Sequence, residues 1–105
     1  MAPHESSPYR VDPTGPAKQQ MTAFAYKAAA GTQRQQVVAA LRAIFQHLET
    51  RPLEWGDPLY HTRLEGGLVC RGLEEPLIAH YAVFESRKLV WLLDVRAVPS
   101  SPLAE

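Results

Sequence analysis

Four polar residues in the second half of the chain have types that could act together on a phosphodiester. Arginine side chains can hold a phosphate, an imidazole can accept or release a proton near neutral pH, and a carboxylate can orient that imidazole. Alternate positions of a strand point to the same side of a sheet, so such groups can share one face. The candidate site residues are Arg71, His80, Asp94 and Arg96.

The same four residues also have a purely structural interpretation. Arg71, Asp94 and Arg96 can be solvated charges that form a surface ion-pair ladder, worth less than about 1 kcal/mol for each pair. His80 can be an ordinary half-buried strand residue. Which interpretation holds depends on how the sheet places these side chains relative to one another.

The single cysteine and a histidine of the connector are weaker candidates. Cys70 falls inside a predicted strand, which is typical of a buried, unreactive thiol rather than a nucleophile. One cysteine can form neither an intramolecular disulfide nor a structural zinc site, and the sequence implies no metal or organic cofactor. His61 lies near Asp57 and Tyr60, where we expect it to be exposed.

Three apolar runs hold the candidate residues: Leu68–Arg71, Leu77–Phe84 and Leu89–Val98. They are rich in β-branched and aromatic residues, which suit a pleated, half-buried surface. The breaks between them, at Gly72–Pro76 and Glu85–Arg87, have the length of hairpin turns. The sequence therefore predicts a three-stranded antiparallel meander.

The strand register follows from centring each turn on its break. This places Val69 opposite His80 on one side and Leu92 opposite His80 on the other. One face then collects all four candidate residues, and a wholly apolar face with Tyr81 and Trp91 packs against helices. A slip of one residue would move a whole strand to the opposite face.

Two helices are predicted before the meander. Pro16 suits the first turn of a helix that runs from Ala17 to Ala30, and Gly31 suits the residue that closes it. The second helix runs to about Thr50 and ends before Pro52, because the residue before proline is pushed out of helical geometry. A short turn makes the two an antiparallel hairpin. The predicted buried face of the second helix comprises Val37, Val38, Leu41, Ile44, Phe45 and Leu48.

The remaining segments are a short strand, a connector and two tails. Tyr9–Val11 is predicted to be an edge strand, because the proline that follows is tolerated only there. The connector Leu53–Glu65 contains a segment, Leu59–Leu64, that could extend or pair with the first meander strand. We expect flexible tails at residues 1–8 and 99–105 around a single domain at residues 9–98.

Composition excludes several classes of protein. With 105 residues, 46% of them hydrophobic, the chain fits one domain with its own core. Lys+Arg and Asp+Glu both number 11, which argues against binding nucleic acid through bulk charge but not against a local basic patch. No apolar run approaches the roughly 18 residues of a membrane span, and the N-terminus lacks the features of a secretory signal. We therefore expect a cytoplasmic protein without a membrane partner.

The order of the predicted elements resembles that of the RelE/ParE toxin superfamily over roughly residues 9–98. The fold that this implies is α+β: a short N-terminal strand, an antiparallel helix hairpin and a three-stranded antiparallel β-meander. The residues that carry the resemblance are Pro52 after the second helix, Gly56-Asp57-Pro58-Leu59, Val69-Cys70-Arg71, Ile78–Val83, and Val90–Val95 followed by Arg96.

The resemblance implies a RelE-like toxin whose partners are a cognate antitoxin and messenger RNA, cleaved on the ribosome. In such members a base deprotonates a 2′-hydroxyl, cations hold the phosphate and an acid protonates the leaving oxygen. Arg71 matches the basic residue of the first meander strand, and Arg96 matches the arginine near the last one. Ile78 stands where the family has an arginine, with His80 as a substitute on the same face.

Two departures from the family keep an alternative open. No tyrosine or histidine follows Arg96, and the strong positive charge of many ribosome-targeting members is missing. The alternative is a non-enzymatic protein on the same scaffold, ParE-like or inactive, that acts by protein–protein binding at the sheet face or its edge. A small structural protein without a site is the third interpretation.

Overall fold

The computed structural model describes residues 8–27, 31–63 and 66–99. The predicted tails lie outside these ranges, apart from Pro8 and Pro99. The described helices are α1 (Gly15–Lys27), α2 (Gly31–Thr50) and the single turn α3 (Pro52–Trp55), and the strands are β1 (Arg10–Pro13), β2 (Asp57–His61), β3 (Leu68–Glu74), β4 (Leu77–Phe84) and β5 (Leu89–Ala97). None of the described helices is long and apolar enough to cross a membrane.

The strands form one five-stranded sheet in the order β1-β5-β4-β3-β2. Strand β1 lies parallel to β5 at one edge, and the other neighbours are antiparallel. The predicted α+β architecture, with its N-terminal strand, helix pair and meander, is therefore confirmed. The sequence left open whether the connector joins the sheet, and the structure shows that part of it, β2, pairs with β3.

The helices cover one face of the sheet. Helix α2 buries Val37, Ala40, Ile44 and Leu48, which are three to four residues apart and form one stripe, against the apolar side of the meander. Val38, which we expected to be buried, is 41% exposed because it lies beside this stripe rather than on it.

The residues that begin the two long helices are Gly15 and Gly31. Helix α1 begins one residue after Thr14, whose Oγ1 accepts the N–H of Ala17 at 3.2 Å and donates to the carbonyl of Leu93 at 2.9 Å. That threonine thus caps the helix and ties it to β5. Gly31, expected to close α1, is instead the first residue of α2, a position where glycine costs little.

Tyr81 anchors the connector to the core. Its buried hydroxyl donates to the carbonyl of Pro52 at 2.6 Å and accepts the N–H of Gly56 at 3.0 Å. Its ring stacks on Trp55, which stacks in turn on His47. A Cβ at Gly56 would come within 2.8 Å of the carbonyl oxygen of Arg71, so glycine allows the close approach that brings β2 beside β3.

The register between β3 and β4 differs by two residues from the prediction. Arg71, rather than Val69, lies opposite His80, because the turn uses only Glu75 and Pro76 and β3 continues through Glu74. A shift of two residues keeps every side chain on its predicted face. For these two strands, the predicted residue pairs were therefore wrong, and the predicted face of each side chain was right.

A β-bulge changes the faces of β5. Tyr81 lies opposite Leu92 while the preceding residue His80 lies opposite Asp94, so Leu93 is the extra residue. Before the bulge, Val90 and Leu92 face the helices and Trp91 faces away, where its ring contacts that of Phe84. The predictions that Leu92 lies opposite His80 and that Trp91 packs on the helices were wrong, because the turn into β5 is one residue longer than expected, with Phe84 opposite Leu89, and no bulge was foreseen.

Candidate functional site

A row of four directly paired side chains crosses the sheet on the face opposite the helices. Asp57 on β2 lies opposite Arg71 on β3, which lies opposite His80 on β4, which lies opposite Asp94 on β5. Directly opposed residues have Cβ atoms roughly 5 Å apart on the same face. We call Asp57, Arg71, His80 and Asp94 the polar row.

The strongest contact in the polar row joins the histidine to its carboxylate. Nδ1 of His80 lies 2.8 Å from Oδ1 of Asp94, with the two side chains 28% and 22% exposed. With Nδ1–H donated to the carboxylate, Nε2 is the ring atom left to exchange a proton with another molecule. The pair is thus arranged as an oriented acid–base group.

Cations lie on both sides of this pair. Arg96, two residues beyond Asp94 on β5, places Nε 3.5 Å from the second carboxylate oxygen and remains 68% exposed. Arg71 is exposed on the other side of His80. Exposed ion pairs contribute little to stability, so the guanidinium groups remain available to an anionic ligand.

A shallow depression of about 250 Å³ lies at the β2 side of the row. Its lining residues are Asp57, Arg71, Leu73 and Ile78. This volume is below the roughly 300–1,000 Å³ of pockets that enclose a whole ligand, so the depression has room for only part of one. Ile78 lies opposite Arg96 and gives this part of the face an apolar floor.

Asp57 is the member of the polar row that is not among the site residues predicted from the sequence. It falls in the predicted connector, near His61, and its place on the sheet follows from the pairing of β2 with β3. The apolar residues that follow it in the connector were the available signal for a strand. His61 itself is exposed, as expected, but it lies on β2 rather than in a loop.

An apolar patch continues the same face toward the other end of the strands. Phe84 is buried and meets Trp91 edge-on, with ring centroids 4.8 Å apart. Trp91 remains 37% exposed. The apolar patch consists of Val69, Ala82, Phe84, Leu89, Trp91 and Leu93.

The remaining titratable groups near the site are structural. Cys70 is buried against the helices, and burial raises the pKa of its thiol, which disfavours the reactive thiolate form. Nε2 of His47 lies 3.0 Å from a carboxylate oxygen of Glu74 and ties α2 to the end of β3. Histidine, cysteine and acidic residues do not gather in groups of three that could hold a metal ion in the described part of the chain.

The fold has solved counterparts, although no family model and no curated protein matches the chain. A chain of the RelBE2 toxin–antitoxin complex from Mycobacterium tuberculosis superposes with a TM-score of 0.63 and 21% identity, covering 86% of this chain and 91% of that one. A chain of the RelE–RelB complex from the archaeon Pyrococcus horikoshii gives 0.58 and 13%, covering 89% and 98%. The predicted resemblance in fold to RelE toxins is therefore confirmed.

Proposed function

We propose that this protein is a RelE-like toxin of a toxin–antitoxin pair that cleaves messenger RNA on the ribosome, using the sheet face opposite the helices. The observation that carries the proposal is the 2.8 Å contact between His80 and Asp94, flanked by two exposed arginines. The two structural neighbours, which are toxin–antitoxin complexes, support the same role.

Each residue has a part in the proposed reaction. Nε2 of His80 takes the proton of an RNA 2′-hydroxyl, and the oxygen attacks the adjacent phosphorus to form a 2′,3′-cyclic phosphate. The bond from phosphorus to the 5′-oxygen breaks, and that oxygen takes a proton from a water molecule, whose hydroxide takes back the proton that His80 accepted. Arg71 and Arg96 hold the phosphate oxygens, while Asp94 orients the imidazole and stabilises its charged form.

Expression in bacteria tests this proposal. We expect growth arrest with the wild-type protein and loss of arrest with His80→Ala or with Arg71→Ala and Arg96→Ala together, because a missing base alone reduces such a reaction about 10²- to 10⁴-fold. His61→Ala is the matched control, since that histidine is exposed on β2 outside the polar row. No arrest by the wild-type protein, or equal arrest by all variants, would contradict the proposal.

A binding protein without catalysis is the second candidate function. The apolar floor at Ile78 and the 55% exposure of Leu73 favour it, because such a surface suits a partner's helix or strand. A small protein encoded by the neighbouring gene would then co-purify with this one, and RNA would remain intact in its presence. Cleavage that depends on His80 would exclude this alternative.

A further inference from the structure

Trp91 lies close to the polar row and on the same face. It pairs with Ala82, and His80, two residues earlier on β4, pairs with Asp94. Because a strand rises about 3.3 Å per residue, the tryptophan lies roughly 7 Å along the sheet from the histidine. The two side chains are therefore about one nucleotide apart.

The indole ring is held in place although it is partly exposed. One side meets the buried ring of Phe84 at 4.8 Å, and the backbone of its strand pairs with β4 on one side and with β1 on the other. A ring that is already ordered loses little entropy when a flat ligand stacks on it. The bulge at Leu93 lets Trp91 and Asp94 share this face, because without the extra residue strand alternation would separate them.

Positive charge lies at both ends of the apolar patch. The guanidinium carbon of Arg87 lies 5.4 Å from the centroid of Phe84, and Arg71 and Arg96 lie at the opposite end. The nearest acidic group on the neighbouring strand, Asp12, is paired with Arg10 at 3.2 Å. An aromatic ring between cations is the arrangement that binds single-stranded nucleic acid through stacked bases and phosphates.

We propose that Trp91 is a stacking platform for a base of single-stranded RNA, next to the phosphate held by Arg71 and Arg96. This inference rests on the proposed function and adds a substrate-binding residue to it. Stacking is sequence-tolerant but stronger for purines, so the platform favours a purine beside the bond that is cleaved.

Fluorescence of Trp91 tests the inference directly. Trp55→Phe leaves Trp91 as the only tryptophan, and this protein is titrated with 2′-O-methyl oligoadenylate, which cannot be cleaved. We expect quenching of the emission, whereas an abasic oligomer with the same phosphates leaves it unchanged. No quenching by the oligoadenylate would overturn the inference.

Variants at position 91 separate stacking from general packing. We expect Trp91→Leu, which keeps an apolar contact with Phe84, to bind the oligoadenylate about 5- to 150-fold more weakly than wild type. We expect Trp91→Phe to keep most of this affinity. Circular dichroism and thermal unfolding identify any variant that fails to fold. If Trp91→Leu does not fold, Trp91→Phe is compared with wild type, and we expect it to show a smaller preference for purines. Equal affinity of all folded variants would overturn the inference.

The outcomes distinguish this inference from the proposed function. His80→Ala is expected to bind and quench normally while cleavage is lost. If RNA is cleaved with equal efficiency by all Trp91 variants, the stacking platform is wrong and the proposed reaction stands. If Trp91→Leu instead loses a co-purifying protein and RNA affinity is unchanged, the apolar patch binds protein and the inference is overturned.

Discussion

The carboxylate of Asp94 links an imidazole and a guanidinium. Oδ1 contacts His80 at 2.8 Å and Oδ2 contacts Arg96 at 3.5 Å, so one side chain orients both groups. A carboxylate in this position selects the ring tautomer that presents Nε2 to the substrate and stabilises the imidazolium that forms. Asp94 is thus a positioning residue in the proposed reaction.

Asp94→Asn tests this positioning role. The amide can donate to Nδ1 and favour the opposite tautomer, so we expect RNA cleavage to slow by at least about 10²-fold with little change in affinity. The measurements are single-turnover cleavage and oligonucleotide binding. Glu74→Gln, at the carboxylate that contacts His47 outside the polar row, is the matched control. Unchanged cleavage in Asp94→Asn, with His80→Ala inactive, would contradict the role.

Strand β5 has two parts, and the alternation of side chains between the two faces of the sheet changes phase between them. The part before Leu93 turns Val90 and Leu92 toward the helices, and the part after it turns Val95 toward them. The N–H of that valine, beyond the end of the paired edge strand, is satisfied by the side chain of Gln20 at 2.8 Å. One extra residue therefore changes the phase of the strand without leaving this backbone group unpaired.

Deletion of single residues in β5 tests the bulge. Deleting Leu93 restores strict alternation with every remaining side chain on its present face, so we expect a folded protein destabilised by about 2 kcal/mol. Deleting Val95 is the matched control, because it would send Arg96 into the helix-facing core, and we expect that protein not to fold. Urea unfolding followed by circular dichroism measures both; an unfolded Leu93 deletion would be inconsistent with this account.

On the scale of the whole molecule, Tyr81 joins three parts of the chain. From the central strand β4 it reaches α3 through the carbonyl of Pro52 and the start of β2 through Gly56. This junction holds Asp57 beside Arg71 at one end of the polar row. Burial, the largest cause, strongly raises the pKa of its phenol, so the neutral form is favoured in the folded state.

Tyr81→Phe is expected to destabilise the protein by about 2 kcal/mol, because a backbone donor and a carbonyl lose their buried partner. The difference from wild type should shrink as pH rises above about 10, the ordinary tyrosine pKa. The sign follows from the raised folded pKa: the unfolded state releases the proton first, so the stabilisation is complete below that pH and is lost above it.

Chemical denaturation at several pH values measures this difference. Tyr60→Phe, at a side chain that is 60% exposed, is the control for removal of an exposed phenol hydroxyl. A constant difference between Tyr81→Phe and wild type from neutral to alkaline pH would contradict the expected linkage. Both variants should also be compared in RNA cleavage, because only Tyr81→Phe loosens the junction beside Asp57.

The periodicity of the chain was sufficient to predict the two long helices and the three meander strands. Strand alternation placed Arg71 and His80 on one face, and the three- to four-residue stripe of α2 identified most of its buried side chains. Proline at the end of β1 correctly indicated an edge strand. These features are local, because each depends only on residues within one or two helical turns or on the next residues of a strand.

Register, the bulge and the addition of β2 were decided by the tertiary structure. Asp57 lies in the polar row, and Trp91 lies on the face opposite the helices, because hydrogen bonds between distant strands fix which residues oppose each other. Those bonds depend on turn length and on the fit of the whole apolar face against the helices, which a local pattern does not contain. The sequence by itself determined which residues could share a face of this sheet. Pairing between strands that are distant in sequence, and packing of the sheet against the helices, determined which of those residues meet.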